Sequence, residues 1–207
     1  MSGERRAEVI AVSSHVARGA VGNRAIVFAL ERLGHAVWSV PTVQLPFHPG
    51  HGKGTRIVPD DRTFAALMTD LARSPGLGNV GALISGYLGS PAQADPVAEL
   101  VARMKAANPA ALYLCDPVIG DEAGAYVPQE TIAAIRDSLL PLADIATPNR
   151  FELALLTGQA TGTVADATAA AAHLGVPTVL VTSAPAMMAG STGVLMVTAR
   201  QRLMAEH

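Results

Sequence analysis

The chain has one cysteine in 207 residues, few charged residues at 15%, and a formal charge of only −2. Each scarcity excludes something. Cys115 alone cannot form an internal disulfide, and its place inside an apolar run marks a buried, inert thiol rather than a reactive one. A near-neutral balance gives no electrostatic reason to expect nucleic acid or an anionic membrane as a partner. Glu4, Arg5 and Arg6 precede only a short apolar strand, too little for a signal peptide or membrane anchor, so a cytoplasmic protein is expected. Internal repeats, low-complexity tracts and linkers are lacking as well, so nothing marks a domain boundary and a single domain is expected.

What the chain does have is apolar strand. Half of its residues are hydrophobic and its mean hydropathy is +0.32, values that suit a sheet buried on both faces. Apolar strands alternate with segments of helical period, the pattern of an α/β fold with a mainly parallel sheet. Strands are expected over 9–14, 36–40, 80–87, 111–116, 143–146 and 178–182, with 193–198 antiparallel or at the edge. Helices are expected from Arg18 to a stop at Gly34, from a cap at Asp60 or Asp61 through Arg73, and from Ser90-Pro91 to Asn108-Pro109. Others follow Pro128, run from Asn149 to Gly158, and span 164–174. The stretch 41–55, with three prolines and three glycines, reads as a long loop able to act as a flap or lid.

Several strands finish on usable groups: Ser14, Tyr87, Asp116, Asn149 and Ser183. In open α/β sheets ligands bind just outside the carboxyl ends of the strands, so these groups are expected to serve one site. Each also has a plainer explanation. Asp116 before Pro117 is a natural turn carboxylate. Asn149 and Glu152 have the spacing of a capping box, which requires no ligand, yet Glu152 also lies one helical turn from a strand end, where a carboxylate reaches a metal through water. Tyr87, between two glycines, either stacks on an aromatic ligand or is half-buried for packing. His48 and His51 lack the cysteine or acid that a zinc site would need. The glycines of Gly19-Ala20-Val21-Gly22 lack the spacing of a dinucleotide or phosphate loop and suit close packing instead.

Taken together, Ser14-His15-Val16 with Gly19 and Val21-Gly22-Asn23-Arg24-Ala25, then Thr42-Val43-Gln44, Ser85-Gly86-Tyr87-Leu88-Gly89-Ser90, Lys105-Ala106-Ala107-Asn108-Pro109, Cys115-Asp116-Pro117-Val118 and Ala143-Asp144-Ile145-Ala146-Thr147-Pro148-Asn149 with Glu152-Leu153, resemble the pyridoxal kinases of the ribokinase-like superfamily. The order and spacing hold across nearly the whole chain. The resemblance implies a three-layer α/β/α fold and ATP-dependent phosphorylation of the 5′-hydroxymethyl group of pyridoxal or a related B6 vitamer. Ser14, Val21, Val43, His48 and Tyr87 would then bind the vitamer. Asp116, Thr147, Asn149, Glu152, Thr182 and Ser183 would face ATP, and Asp116 and Glu152 would organise Mg²⁺. A monovalent cation such as K⁺ and a homodimer are further implications.

The chain departs from the family pattern in two places. Leu45 and Pro49 stand in the flap where the family often has phenylalanine and threonine, which leaves open a sister kinase acting on hydroxymethylpyrimidine or a related ring alcohol. The Gly-x-Gly-Asp motif that carries the family's catalytic base is not in the sequence, so no catalytic base is assigned within it. A missing general base is worth roughly 10²–10⁴ in rate. The 207 residues are therefore expected to be a portion of a longer kinase whose sheet is incomplete at its carboxyl end, or else a non-catalytic vitamin- and nucleotide-binding protein.

Overall fold

The structure, a computed structural model, describes residues 6–186, 188 and 190–206; Glu4 and Arg5 of the expected amino-terminal charge cluster lie outside them. The chain forms two compact units, Met1–Tyr113 and Leu114–His207, each α/β with parallel strands. Among the described residues no helix is long and apolar enough to cross a membrane.

In the first unit, β1 (Glu8–Arg18) lies between β2 (Val37–Phe47) and β3 (Val80–Ser85) and is parallel to both. Its Val9-Ile10-Ala11-Val12 run is buried without alternation, as a strand covered on both faces requires. Helix α1 spans Asn23–Arg32, α2 Asp61–Ala72 and α3 Ala94–Ala107. Asp60 caps α2 by accepting from the Thr63 N–H at 3.0 Å, which stabilises such a helix by about 1 kcal/mol. The stripe Val97, Leu100, Val101 and Met104 of α3 is wholly buried, and each such side chain contributes roughly 1.5–3 kcal/mol.

Two expectations fail in this unit. The helix expected from Arg18 begins only at Asn23, because β1 continues through Arg18 and the chain then turns at Gly19 (φ 123°) and Gly22 (φ 56°). The loop expected from Pro41 is strand as far as Phe47. Ser13 pairs with Pro41, Val16 with Leu45 and Arg18 with Phe47, and prolines are tolerated because β2 is an outer strand that needs no second ladder. Only from His48 onward is the segment irregular, starting with a single tight turn over Pro49–His51.

In the second unit, the last two residues of β4 (Leu112–Cys115), Leu114 and Cys115, pair in parallel with β7 (Ile145–Ala146), and β7 with β8 (Thr178–Ala184). β9 (Gly193–Thr198) and β10 (Arg202–Glu206) add antiparallel. The antiparallel β9 agrees with expectation; β10 has no counterpart among the expected strands. A two-residue hairpin, β5 (Gly120–Asp121) and β6 (Gly124–Ala125), precedes α4 (Gln129–Ala134). α4 runs on through a wide turn at Ile135–Leu139 and a tight one at Leu140–Leu142. α5 (Arg150–Thr157) ends at Gly158 in the left-handed conformation, and the alanine face of α6 (Val164–His173) packs with Leu153, Val179, Val181, Leu195 and Val197.

Candidate functional site

The residues singled out from sequence fall into two groups, one in each unit. In the first unit, Ser14 sits at an irregularity in the sheet. Ser13 pairs with Pro41 but His15 with Gln44, so one extra β2 residue is accommodated opposite Ser14, a bulge of the kind that re-aims a side chain. Gly22 is pressed against it by a His15–Gly22 bridge, and a Cβ there would lie 2.3 Å from Ser14 O and 2.5 Å from Ser14 Oγ. The requirement at Gly22 is thus close approach to a strand, with helix α1 starting from its carbonyl.

Tyr87 is half-buried just beyond β3 and held from behind. The Thr42 hydroxyl donates to Tyr87 O at 2.6 Å, while Gln93 links Gly89 N (2.7 Å) to Thr42 O (2.9 Å). Gly89 allows this proximity, since a Cβ there would lie 2.4 Å from Thr42 O. At the hydroxyl end of the ring lies a residue that no motif singled out: the Arg56 guanidinium, 5.9 Å from the ring centroid, donates to Tyr87 OH at 3.2 Å and Gly89 O at 2.6 Å. Val21 is exposed and Val43 is fully buried. His48 is exposed and accepts from Gly50 N–H at 3.1 Å, its ring edge-on to His51.

In the second unit the link 147–149 crosses between strand ends. Thr147 N–H donates to Cys115 O at 3.1 Å, and Thr182 N–H donates to Pro148 O at 2.9 Å. This brings Asp116, Thr147, Asn149 and Thr182 together. The Thr147 hydroxyl donates to Asp116 Oδ1 at 2.9 Å, and Asp116 Oδ2 has no hydrogen-bond donor among the described residues. Asn149 and Glu152 form the expected capping box, with Glu152 N–H on Asn149 Oδ1 at 2.9 Å and Asn149 N–H on Glu152 Oε2 at 2.8 Å.

Glu152 does more than cap. Its Oε1 accepts from Ile119 N–H (2.9 Å) and Gly120 N–H (3.3 Å), and Asn149 Nδ2 donates to Gly120 O at 2.7 Å, so the two side chains together hold the loop that follows Asp116. At 4% exposure, burial pushes the Glu152 carboxyl up to about 7, further raised by the Asp116 charge, although three amides oppose the shift. Burial raises Asp116 too, against the pull of the Thr147 hydroxyl. Two neighbouring carboxyls that resist ionisation form a receptive place for a cation, which would favour the charged form of both.

Ser183 is the one described non-glycine residue with positive φ (52°), at the point where β8 bulges against β9 between Val181 and Ala184. Such a conformation costs a residue of this kind about 1–2 kcal/mol. It places Ser183 at an open cavity of about 470 Å³, lined also by Asn149, Arg150, Phe151, Pro185 and Thr192. Arg150, which pairs with Glu122, and Thr192 were not among the expected residues; both follow from the capping turn and the start of β9 rather than from any motif.

A family model described as phosphomethylpyrimidine kinase matches residues 79–205. A protein named pyridoxal kinase PdxY from Corynebacterium diphtheriae is 41% identical over 180 residues, covering 84% of this chain and 63% of that relative. Another of the same name from Granulibacter bethesdensis is 45% identical over 163 residues, covering 78% and 57%. The chain thus spans less than two thirds of the length of these relatives. Among solved structures, pyridoxal kinase from Leishmania donovani in complex with ADP and pyridoxamine superposes with a TM-score of 0.90 at 30% identity, over 97% of this chain and 71% of that one. Pyridoxal kinase from Entamoeba histolytica superposes with a TM-score of 0.89 at 26% identity, over 98% and 74%.

Proposed function

The chain belongs to the pyridoxal kinase family of the ribokinase-like superfamily, and from that premise we propose that it serves ATP-dependent phosphorylation of the 5′-hydroxymethyl group of pyridoxal or a related B6 vitamer. The observation that carries the proposal is the division of polar chemistry: neutral hydrogen-bonding groups and one aromatic ring in the first unit, a buried carboxyl (Glu152) beside a partly buried one (Asp116) in the second. Phosphoryl transfer asks for positioning of the acceptor alcohol and compensation of phosphate charge, and little covalent chemistry from the protein.

On this proposal Ser14 reads the polar edge of the pyridine ring and Tyr87 stacks near its face, with Val21, Val43 and His48 around them. Thr147, Asn149, Thr182 and Ser183 position the nucleotide by hydroxyl and amide groups, which hold oxyanions without adding charge. Asp116 has an oxygen to offer a hard cation directly. Three of the roughly four acceptor positions of Glu152 are taken by amides, so it acts through water or through its field. The donor set therefore fits Mg²⁺, which binds one or two carboxylates and keeps several waters. Bound there, the cation would compensate the charge of the transferring phosphoryl group. A monovalent cation such as K⁺ and a homodimer belong to the same proposal.

A second reading, a kinase of hydroxymethylpyrimidine or a related ring alcohol, is favoured by the description of the matching family model and by Leu45 and Pro49 in the flap. Incubation of the purified protein with MgATP and both alcohols, with mass-spectrometric detection of product, separates the two. Pyridoxal phosphate supports the first and hydroxymethylpyrimidine phosphate alone the second. Ligand-induced stabilisation without either product would instead support a binding protein.

A further inference from the structure

Two β2 residues, Thr42 and Val43, stand opposite the single Ser14, because Ser13 pairs with Pro41 and His15 with Gln44. Thr42 is polar, yet it is as fully buried as Val43, with 0% of its surface exposed. Both of its oxygens engage the segment that follows β3. The hydroxyl donates to Tyr87 O at 2.6 Å, and the carbonyl accepts from Gln93 Nε2 at 2.9 Å. A buried polar side chain keeps its place by making such bonds, and those of Thr42 lead to Tyr87.

The stretch 86–89 that carries Tyr87 is fastened at either end. Gly86 N–H donates to Val12 O at 2.9 Å, and a Cβ on Gly86 would lie 2.5 Å from Ser13 Oγ. Gly89 N–H donates to Gln93 Oε1 at 2.7 Å, and a Cβ on Gly89 would lie 2.4 Å from Thr42 O. The two glycines are therefore points of close contact with β1 and β2 rather than points of freedom. Ser13 and Thr42, the residues they press against, flank the sheet irregularity at Ser14, so one irregularity sets the place of both Ser14 and Tyr87.

We propose that Thr42 is a positioning residue of the vitamer site, holding the backbone of Tyr87 in register with Ser14 so that one pyridine ring meets both contacts at once. The inference rests on the proposed roles of Ser14 and Tyr87 in vitamer binding and adds the residue that ties them together. Thr42 acts through the fraction of molecules in which Tyr87 stands where the ligand requires it, and apparent affinity falls with that fraction. One such hydrogen bond corresponds to about two- to tenfold in an equilibrium constant.

The test is pyridoxal binding by calorimetry to the full 207-residue chain and to its Thr42→Ser, Thr42→Ala and Thr42→Val variants. Thr42→Ser keeps the hydroxyl and should bind like the parent. Thr42→Ala loses it and should bind about two- to tenfold more weakly. Thr42→Val should be weaker still, since a methyl carbon keeps about 3.3 Å or more from a carbonyl oxygen and the hydroxyl it replaces stands at 2.6 Å. Thr69→Val removes a like bond, to Ala65 O at 2.9 Å within α2, and is the control for general loosening of the same unit; it should leave pyridoxal affinity unchanged. An affinity that is the same in Thr42→Ala as in the parent, that Thr42→Ser fails to restore, or that falls equally in Thr69→Val overturns the positioning role alone. No pyridoxal binding by the parent overturns the vitamer roles of Ser14 and Tyr87, and the positioning role with them.

Discussion

Among the described residues the first unit buries neutral polar side chains alone, whereas the second buries a carboxyl, Glu152, beside the neutral Thr131 and Thr161. Around Tyr87 the buried polar side chains are Thr42 and Gln93, each of which finds backbone partners, and the charged group that meets Tyr87 among the described residues is the exposed Arg56. Around Asp116 the buried group is Glu152, whose three amide donors do not offset the cost of desolvation. A neutral group that is fully hydrogen-bonded is nearly indifferent to pH and salt, whereas a buried carboxyl remains coupled to protons and cations. The first unit is therefore built to read shape and hydrogen-bonding pattern, and the second to respond to charge.

The largest expected effect breaks the first unit while sparing the second. Gly22→Ala puts a Cβ 2.3 Å from Ser14 O at φ 56°, so overpacking adds to backbone strain and the loss should be about 3 kcal/mol or more. Gly158→Ala in the second unit is the internal control. Its φ is 68°, but nothing lies within 4 Å of the added Cβ, leaving strain alone at about 1–2 kcal/mol. Urea unfolding of both variants checks the difference; equal losses would mean that the tight approach to Ser14 is not maintained in solution. Below its unfolding transition Gly22→Ala should lose pyridoxal affinity and keep that for MgADP.

Asp116→Asn is the converse. It keeps an acceptor for the Thr147 hydroxyl but removes the charge offered to a cation. If phosphoryl transfer is measurable, the rate should fall by about 10²-fold or more and its Mg²⁺ dependence should weaken, with pyridoxal binding unchanged. Wild-type turnover in the variant would take Asp116 out of the site.

The same division runs through what could be read from sequence. Helix starts were legible wherever a local cap announces them, as at Asp60 and at Asn149 with Glu152 three residues on, because capping is a contact between near neighbours. The strand end before Asp116 was legible for a similar reason, since an apolar run stops at a polar group, whereas Ser14, read as a strand end, lies inside β1, which runs on to Arg18. Prolines misled in the flap: Pro41 and Pro46 read as loop, but an outer strand tolerates them, so β2 runs on to Phe47. β10 escaped notice because its short, polar-ended run becomes a strand only through pairing with β9. Arg56 meets Tyr87 from 31 residues away through a bridge between Gln44 and Ile57, and no local pattern encodes that.

Titration sharpens the contrast between the units further. Glu152 has a pKa of about 7 when folded, against 4.5 as its ordinary value, so between those pH values the folded chain holds a proton that the unfolded chain has released. Stability therefore falls as pH rises through that window, by no more than about 1.4 kcal/mol per pH unit from this one group, and levels off above it. Glu152→Gln removes the share of the slope that Glu152 carries, leaving the smaller pH range over which the raised Asp116 acts, whatever it does to the cap. Millimolar Mg²⁺ should reduce the slope in the parent by favouring the ionised carboxyl, while pyridoxal should raise stability by a similar amount at every pH in the window. Denaturation between pH 4.5 and 7, with each ligand in turn, checks both statements. A parent slope that survives Glu152→Gln undiminished would place the titrating group elsewhere and return Glu152 to the role of a cap alone.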